Sequence, residues 1–339
     1  MPFRPPRCPL DRCDSNVRGV PFRYRRHGAY LRRCDGRMVP RFLCLTCRRT
    51  FSSQTFRVDF RLRKPWIDTV LLQHFVSKVT LRQSSRLLGV RLPTVARRHR
   101  RYGEHCRLLH AALLDRTAAR GGLPGRFQLD ELETYERDRR LQPVTVPVLV
   151  EGRTGFVVAV AAAPLPSRGN LRPRDRARKR ALEAVVGKRR SGSRAAVERC
   201  FQQLRRALPE AAPVVVTTDR KTAYVASLRR VLGRRVVHVR ISSRRARNER
   251  NPLFRINLTL AMLRDGASRL VRRTWAAAKC RERLEDHLWM WAAWRNYVRR
   301  ATTGEARSPA ELLGVAGAPA DCADLIRWHG RFSALALKH

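Results

Sequence analysis

The chain has 339 residues, with 73 Lys and Arg against 27 Asp and Glu, a formal charge of +46, and 43% hydrophobic residues. This apolar content excludes a purely disordered basic tail, and the length fits two or three domains. A fold so charged repels itself unless a polyanion neutralises it, and nucleic acid is the polyanion whose contacts release counterions. A GC-rich genome would explain Arg over Lys, but not the shortage of acids. The longest apolar runs, residues 144–150 and 156–164, have the length of strands. No signal peptide or membrane partner is therefore expected. A cytoplasmic setting follows, in which thiols stay reduced and nine cysteines read as metal ligands or core groups.

Residues 1–60 are dense in Cys, Arg and Pro and read as a zinc ribbon. Cys8 and Cys13 pair at four-residue spacing, Cys44 and Cys47 at two, and thirty residues separate the pairs. Structural zinc takes four soft ligands in a tetrahedron, and a segment this short and polar needs such a staple. Cys34 and His27 lie close enough in sequence to be spare ligands. Arg48-Arg49-Thr50-Phe51-Ser52 follows the second pair, and its two arginines are suited to phosphates.

Residues 61–120 read as a helical DNA-binding domain. A first helix spans residues 66–77, with Ile67, Val70, Leu71 and Phe75 on its inner face. Thr80 caps a second, Gly89 fits a turn, and Pro93-Thr94 opens a third, with Val95 inward. Arg97, Arg98, Arg100 and Arg101 make the last of these very basic. Two helices joined by a short Gly-containing turn, the second basic, resemble a helix-turn-helix whose second helix enters the major groove. Thr94 and these arginines are the candidate DNA contacts.

Gly121-Gly122-Leu123-Pro124-Gly125 reads as a linker. Beyond it, strands and helices alternate over residues 126–300, the pattern of an α/β domain. Strands are expected at 126–132, 144–150, 155–163, 212–218 and 236–241, the second and third forming a hairpin. A basic insert, 167–193, is expected to be exposed and mobile. One strongly helical region is expected over 253–300, and a weaker helical tail over 301–339.

With few acids, their placement is informative. Asp130 lies at the end of a short strand, and Asp219 just after the apolar Val214-Val215-Val216-Thr217-Thr218. Two carboxylates on adjacent strands suit Mg²⁺ or Mn²⁺ in an in-line displacement at phosphorus. A third ligand is expected from the helix after Ile241. Two residues compete for it: Asn257 in the helix and Glu249 in the loop before it. Arg264 lies two turns beyond Asn257.

The order of these motifs resembles bacterial insertion-sequence transposases of the insertion-sequence-one type. The resemblance is carried by Cys44-Leu-Thr-Cys47-Arg-Arg-Thr-Phe-Ser, the helix-turn-helix, Leu129-Asp130-Glu131, Thr217-Thr218-Asp219 and the stretch from Ser268 to Lys279. It implies a ribonuclease H-like DDE domain that cleaves transposon ends and joins them to target DNA with Mg²⁺ or Mn²⁺. It also implies double-stranded DNA as partner, action as a homo-oligomer and a place on the bacterial nucleoid. Asp130 and Asp219 match the first two acids. The family's Glu falls on Asn257, or on Glu249 by a shorter pattern, and Arg264 matches a basic residue after it. The departure at Asn257 keeps a second reading open, an inactive transposase-derived regulator that binds specific DNA.

Other residues read as structure. Trp275, Trp289, Trp291, Trp294 and Tyr297 suit helix-packing core. Cys106, Cys200, Cys280 and Cys322 suit buried thiols. His238 and His287 stand alone, and the runs at 174–180 and 188–190 suit solvated charge.

Overall fold

The computed structural model describes residues 3–167, 169–209, 213–271 and 276–332. Trp275 and the Arg272-Arg273-Thr274 part of the family-like stretch lie outside them.

The N-terminal module is a three-stranded antiparallel sheet, β1 (Tyr24–Arg32), β2 (Arg37–Cys44) and β3 (Thr50–Ser52). Its small core is aromatic: Phe42, Phe51 and Phe56 pack beside the cysteines. That core is completed from the other end of the chain. Phe332 meets Phe56 at 4.8 Å between ring centroids, and Trp328 stacks on Phe3 at 5.1 Å. The tail expected as a separate helical element instead holds two short helices, α9 (Pro309–Leu312) and α10 (Cys322–Leu325), and closes the ribbon. It also clamps the helical region, where buried His105 contacts Leu325 O and accepts from Gly330 N.

The helical region comprises α1 (Asp68–Val76), α2 (Leu81–Leu87) and α3 (Leu92–Ala118). Thr80 caps α2 reciprocally with Gln83, and Gly89 takes the left-handed turn at φ +59°. The inner face of α1 differs from expectation. Ile67, Leu71 and Phe75 are buried, but Val70 is exposed and Leu72 takes its place in the core.

The third part is a six-stranded mixed sheet. Its strands are β4 (Arg126–Tyr135), β5 (Pro143–Glu151), β6 (Val157–Val160), β7 (Ala163–Pro164), β8 (Val214–Asp219) and β9 (Val236–Ile241). The order is β6-β5-β4-β8-β9, with β7 also on β5. β4, β8 and β9 are parallel, while β5 runs antiparallel to β4 and β6. β5 is buried along its whole length. The outer edge of β6 is satisfied by side chains: Asn296 bonds both N and O of Val157, and His110 Nε2 contacts Val158 O.

Helices α5 (Ser193–Ala207) and α6 (Ala223–Leu232) cover one face of the sheet, and α7 (Phe254–Gly266) lies on the other. The alternation along β4 fixes this: Glu131 reaches Ser193 and Tyr224, whereas Gln128, of opposite parity, accepts from Ile256 N of α7. The helical region expected over 253–300 is two helices, α7 and α8 (Arg281–Tyr297). α8 packs on α3 and β6 and buries Trp289, Trp291 and Tyr297, while Trp294 is half-buried.

The basic insert also differs from expectation, since it holds a fourteen-residue helix, α4 (Pro173–Val186). Its charges are partly paired: Asp175 with Arg140 and Arg178, and Arg178 with Asp138.

Candidate metal centres and nucleic-acid surface

The four expected cysteines converge. Cys8 and Cys13 come from the loop before β1, Cys44 ends β2, and Cys47 sits in the turn to β3. A tetrahedral zinc with Zn–S bonds of about 2.3 Å places its sulfurs about 3.8 Å apart. Cys8 Sγ and Cys47 Sγ are 3.6 Å apart, Cys13 Sγ and Cys44 Sγ 3.8 Å, and all four lie within 4.8 Å of one another. The donor set and spacing fit a structural zinc. Burial pushes the Cys8 and Cys47 thiols up, whereas at Cys44 the backbone N–H groups of Cys47 and Thr46, with hydrogen bonds from the Cys47 and Cys13 thiols, overcome burial and bring it down to about 6. Cys44 is thus the thiolate-prone member of the set, and a metal would have to draw the protons from Cys8 and Cys47. Cys34 lies outside the quartet, with its Sγ 3.8 Å from Leu62 O, and His27 is exposed on β1. Of the isolated cysteines, Cys106, Cys200 and Cys322 are buried and Cys280 is half-buried.

The two aspartates also come together. Asp130 is not at the end of its strand, as expected, because β4 runs on to Tyr135. It lies instead where the partner strand stops. Leu129 pairs with Thr218 across β4 and β8, so the next residues, Asp130 and Asp219, are neighbours on one face. Burial drives the Asp130 carboxyl up to about 6; the Glu131 N–H opposes this, and the Asp219 charge adds to it. Two carboxylates crowded in this way are relieved by a cation.

No third Cys, His, Asp or Glu among the described residues closes a cluster with them. Among the described residues, the cysteine quartet is the sole group of three or more Cys, His, Asp or Glu with ligand atoms mutually within 4.8 Å. Asn257 is half-buried on α7, next to Ile256, which bonds Gln128 of β4. Glu249 is exposed in the loop before α7, and Arg264 is exposed on α7 itself. His238 of β9 braces this end of the sheet, its Nε2 lying 2.8 Å from Thr218 Oγ1. His287 is buried against Phe75 O, remote in sequence from the aspartates.

The arginines of α3 divide by face. Arg97 and Arg100 are exposed, and Thr94 is half-buried. Arg98, expected on DNA, is instead buried: it pairs with Asp68 at 3.0 Å and donates to Lys64 O. Helical periodicity carries residue 98 to the same side as Val95 and Tyr102, which are fully buried. Arg101 is half-buried and donates to Phe60 O. Sequence reasoning missed the partners of this surface. Arg61, Arg63 and Lys64 join Arg97 and Arg101 around a cleft of about 610 Å³. The signal was the run Arg61-Leu62-Arg63-Lys64 just before Pro65. In the ribbon, Arg48 and Arg49 are exposed, with Arg48 in left-handed backbone at φ +55°.

No family profile matches this chain, and neither does any curated protein compared with it. Among the described residues, no helix is long and apolar enough to cross a membrane.

Proposed function

We propose that the chain is a DNA transposase of the DDE type, acting on double-stranded DNA as a homo-oligomer, with the mixed sheet as its ribonuclease H-like catalytic domain. The observation that carries this reading is the pairing of Asp130 and Asp219 where β4 and β8 part, in a chain of charge +46. The parallel register of β4 and β8 brings the two carboxylates side by side where β8 ends.

Asp130 and Asp219 would hold Mg²⁺ or Mn²⁺ through carboxylate oxygens. Such an ion, when bound, acidifies the attacking water or hydroxyl and neutralises charge developing at phosphorus. The other residues of the chain hold and orient DNA. Arg97 and Arg100 on α3, with Arg61, Arg63 and Lys64 beside them, meet phosphates, and the exposed side of α3 reads bases. Arg48 and Arg49 of the zinc-stapled ribbon add backbone contacts, and Arg264 lies on the helix that crosses the Asp130 face.

One observation favours a second reading. Asn257 brings no charge where an acid is expected, and Glu249 is exposed in a loop. A regulator derived from a transposase would keep the DNA surface and lose the chemistry. The test is cleavage and joining of labelled terminal-repeat DNA with Mg²⁺ or Mn²⁺. Asp130→Ala and Asp219→Ala must each abolish both steps. Specific binding by wild type without metal-dependent cleavage selects the regulator, and wild-type cleavage by both variants removes the site assignment.

A further inference from the structure

Directly behind Asp130, on the opposite face of β4, Glu131 sits in a closed polar cluster. Thr145 Oγ1 of β5 donates to its Oε2 at 2.5 Å, and Ser193 Oγ, at the start of α5, donates to the same oxygen at 2.8 Å. Tyr224 OH of α6 donates to Oε1 at 2.8 Å, and Lys221 Nζ pairs with Oε1 as well. The Glu131 side chain is 9% exposed, so four elements have given donors to one buried carboxylate. Apolar groups of similar volume often replace a buried ion pair without loss of stability, so stability alone is a weak account of this one and geometry a better one.

Lys221 links this cluster to the other face. Its backbone N donates to Asp219 Oδ1 at 3.0 Å, while its ammonium group is held by Glu131 and by Ser193 Oγ at 3.1 Å. The turn after β8 is tied at two further points. Thr218 Oγ1 donates to Asp219 O and meets His238, and Arg240 donates to Arg220 O. Asp130 and Glu131 are adjacent in the chain, and Asp219 and Lys221 are joined by one hydrogen bond. The ion pair therefore closes a loop through the sheet that contains both aspartates.

We propose that Glu131 and Lys221 are positioning residues whose ion pair fixes the Asp219 turn and so sets the separation of the two metal-holding carboxylates. This rests on the reading of Asp130 and Asp219 as a divalent-cation site.

The test is titration of Mn²⁺ into the purified, zinc-loaded full chain, with free Mn²⁺ followed by electron paramagnetic resonance. Wild type is expected to bind Mn²⁺ in a manner that Asp219→Asn removes. Lys221→Met and Glu131→Gln are each expected to weaken that binding by about tenfold, the usual size for a group supporting a ligand. The double variant should be no weaker than either single one. Lys221 is 40% exposed, so Lys221→Met keeps the fold if Glu131→Gln does not. Lys221→Arg restores the pair and should restore affinity, which general loosening would not allow. Asp219-dependent binding that is unchanged in Lys221→Met overturns the brace and leaves the cation site standing. No Asp219-dependent Mn²⁺ binding in wild type overturns the cation site, and the brace with it.

Discussion

The ribbon and the mixed sheet each gather candidate metal ligands, but they do so in opposite ways. In the ribbon the ligands are the core: Cys8, Cys13 and Cys44 are buried among Phe42, Phe51 and Phe56. In the sheet the core lies elsewhere, in β5 and the apolar sides of β4 and β8, and Asp130 and Asp219 are mounted at its rim. Four thiols repel far less than carboxylates when most of them are protonated, so they gather within 4.8 Å of one another. Two carboxylates repel, and the register of β4 on β8, with the tied turn after β8, holds them side by side. A ligand that is also core couples metal to folding, whereas a ligand at a rim leaves the fold independent of the ion.

The largest expected effect follows from that contrast. Chelation of zinc, or Cys44→Ser, should unfold the ribbon while leaving the sheet intact. Structural zinc in small modules contributes on the order of 10 kcal/mol, far more than seven aromatic and thiol side chains can replace. Trp328 reports on this, because it stacks on Phe3 within the ribbon. Its fluorescence should shift to that of a solvated indole as one zinc is released, with sheet circular dichroism unchanged. Loss of the sheet signal in the same step would break the comparison.

The converse holds at the rim. Asp219→Asn and Asp130→Asn should each lower metal-dependent cleavage by at least about a thousandfold, roughly 4 kcal/mol in barrier. Neither should lower the melting temperature of the metal-free protein. Asp130→Asn should raise it at neutral pH, since burial already disfavours the charged carboxyl. Cleavage assays and calorimetry on the same samples check both halves.

Arg98→Ala is next in size. It leaves Asp68 buried and unpaired beside Tyr102, and breaking a buried pair costs about 3 to 5 kcal/mol. Urea unfolding of the helical region should show that loss.

Acid provides a milder probe. His110 is 1% exposed, between Tyr297 OH and Val158 O, and burial holds it down at about 4. In the unfolded chain it titrates near 6.5. Between those values the unfolded state carries the extra proton, so stability is complete above pH 6.5 and falls as pH falls toward 4. The loss from this one group approaches about 3 kcal/mol at the low end. Denaturant melts should show the advantage of wild type over His110→Asn shrinking across that window, and a constant advantage would refute it.

What the sequence disclosed follows the range of each interaction. The zinc quartet was legible because its spacing is local and its chemistry admits few alternatives. Asp219 was legible because it closes an apolar strand, and Asp130 because acids are few in this chain, although its strand runs on past it to Tyr135. Arg98 was read correctly as basic and wrongly as a DNA contact, because its partner Asp68 lies thirty residues earlier and only the packing of α1 on α3 brings them together. The Glu131–Lys221 pair spans ninety residues and depends on strand order, which no local pattern states. Trp328 and Phe332 belong to the ribbon through a contact across almost the whole chain. α4 was hidden for a different reason. Its Ala, Arg, Lys, Leu and Glu after Pro173 are good helix formers, but their charge density pointed to an exposed, mobile insert.

The smallest expected effect separates the two faces of α3. Arg97 and Arg98 are adjacent in sequence, yet one is exposed and the other is 3% exposed and paired. A phosphate contact adds about 0.9 to the slope of log K against log salt, because one counterion is released. Arg97→Ala should therefore reduce that slope by about one, weaken binding to specific and non-specific DNA alike, and leave the melting temperature unchanged. Arg98→Ala should do the reverse, lowering stability while the folded fraction keeps its slope. Binding isotherms on duplex DNA at several salt concentrations decide between them. If Arg97→Ala leaves the slope unchanged, the exposed face of α3 is not the phosphate-binding one, and Arg48 and Arg49 of the ribbon become the first residues to test.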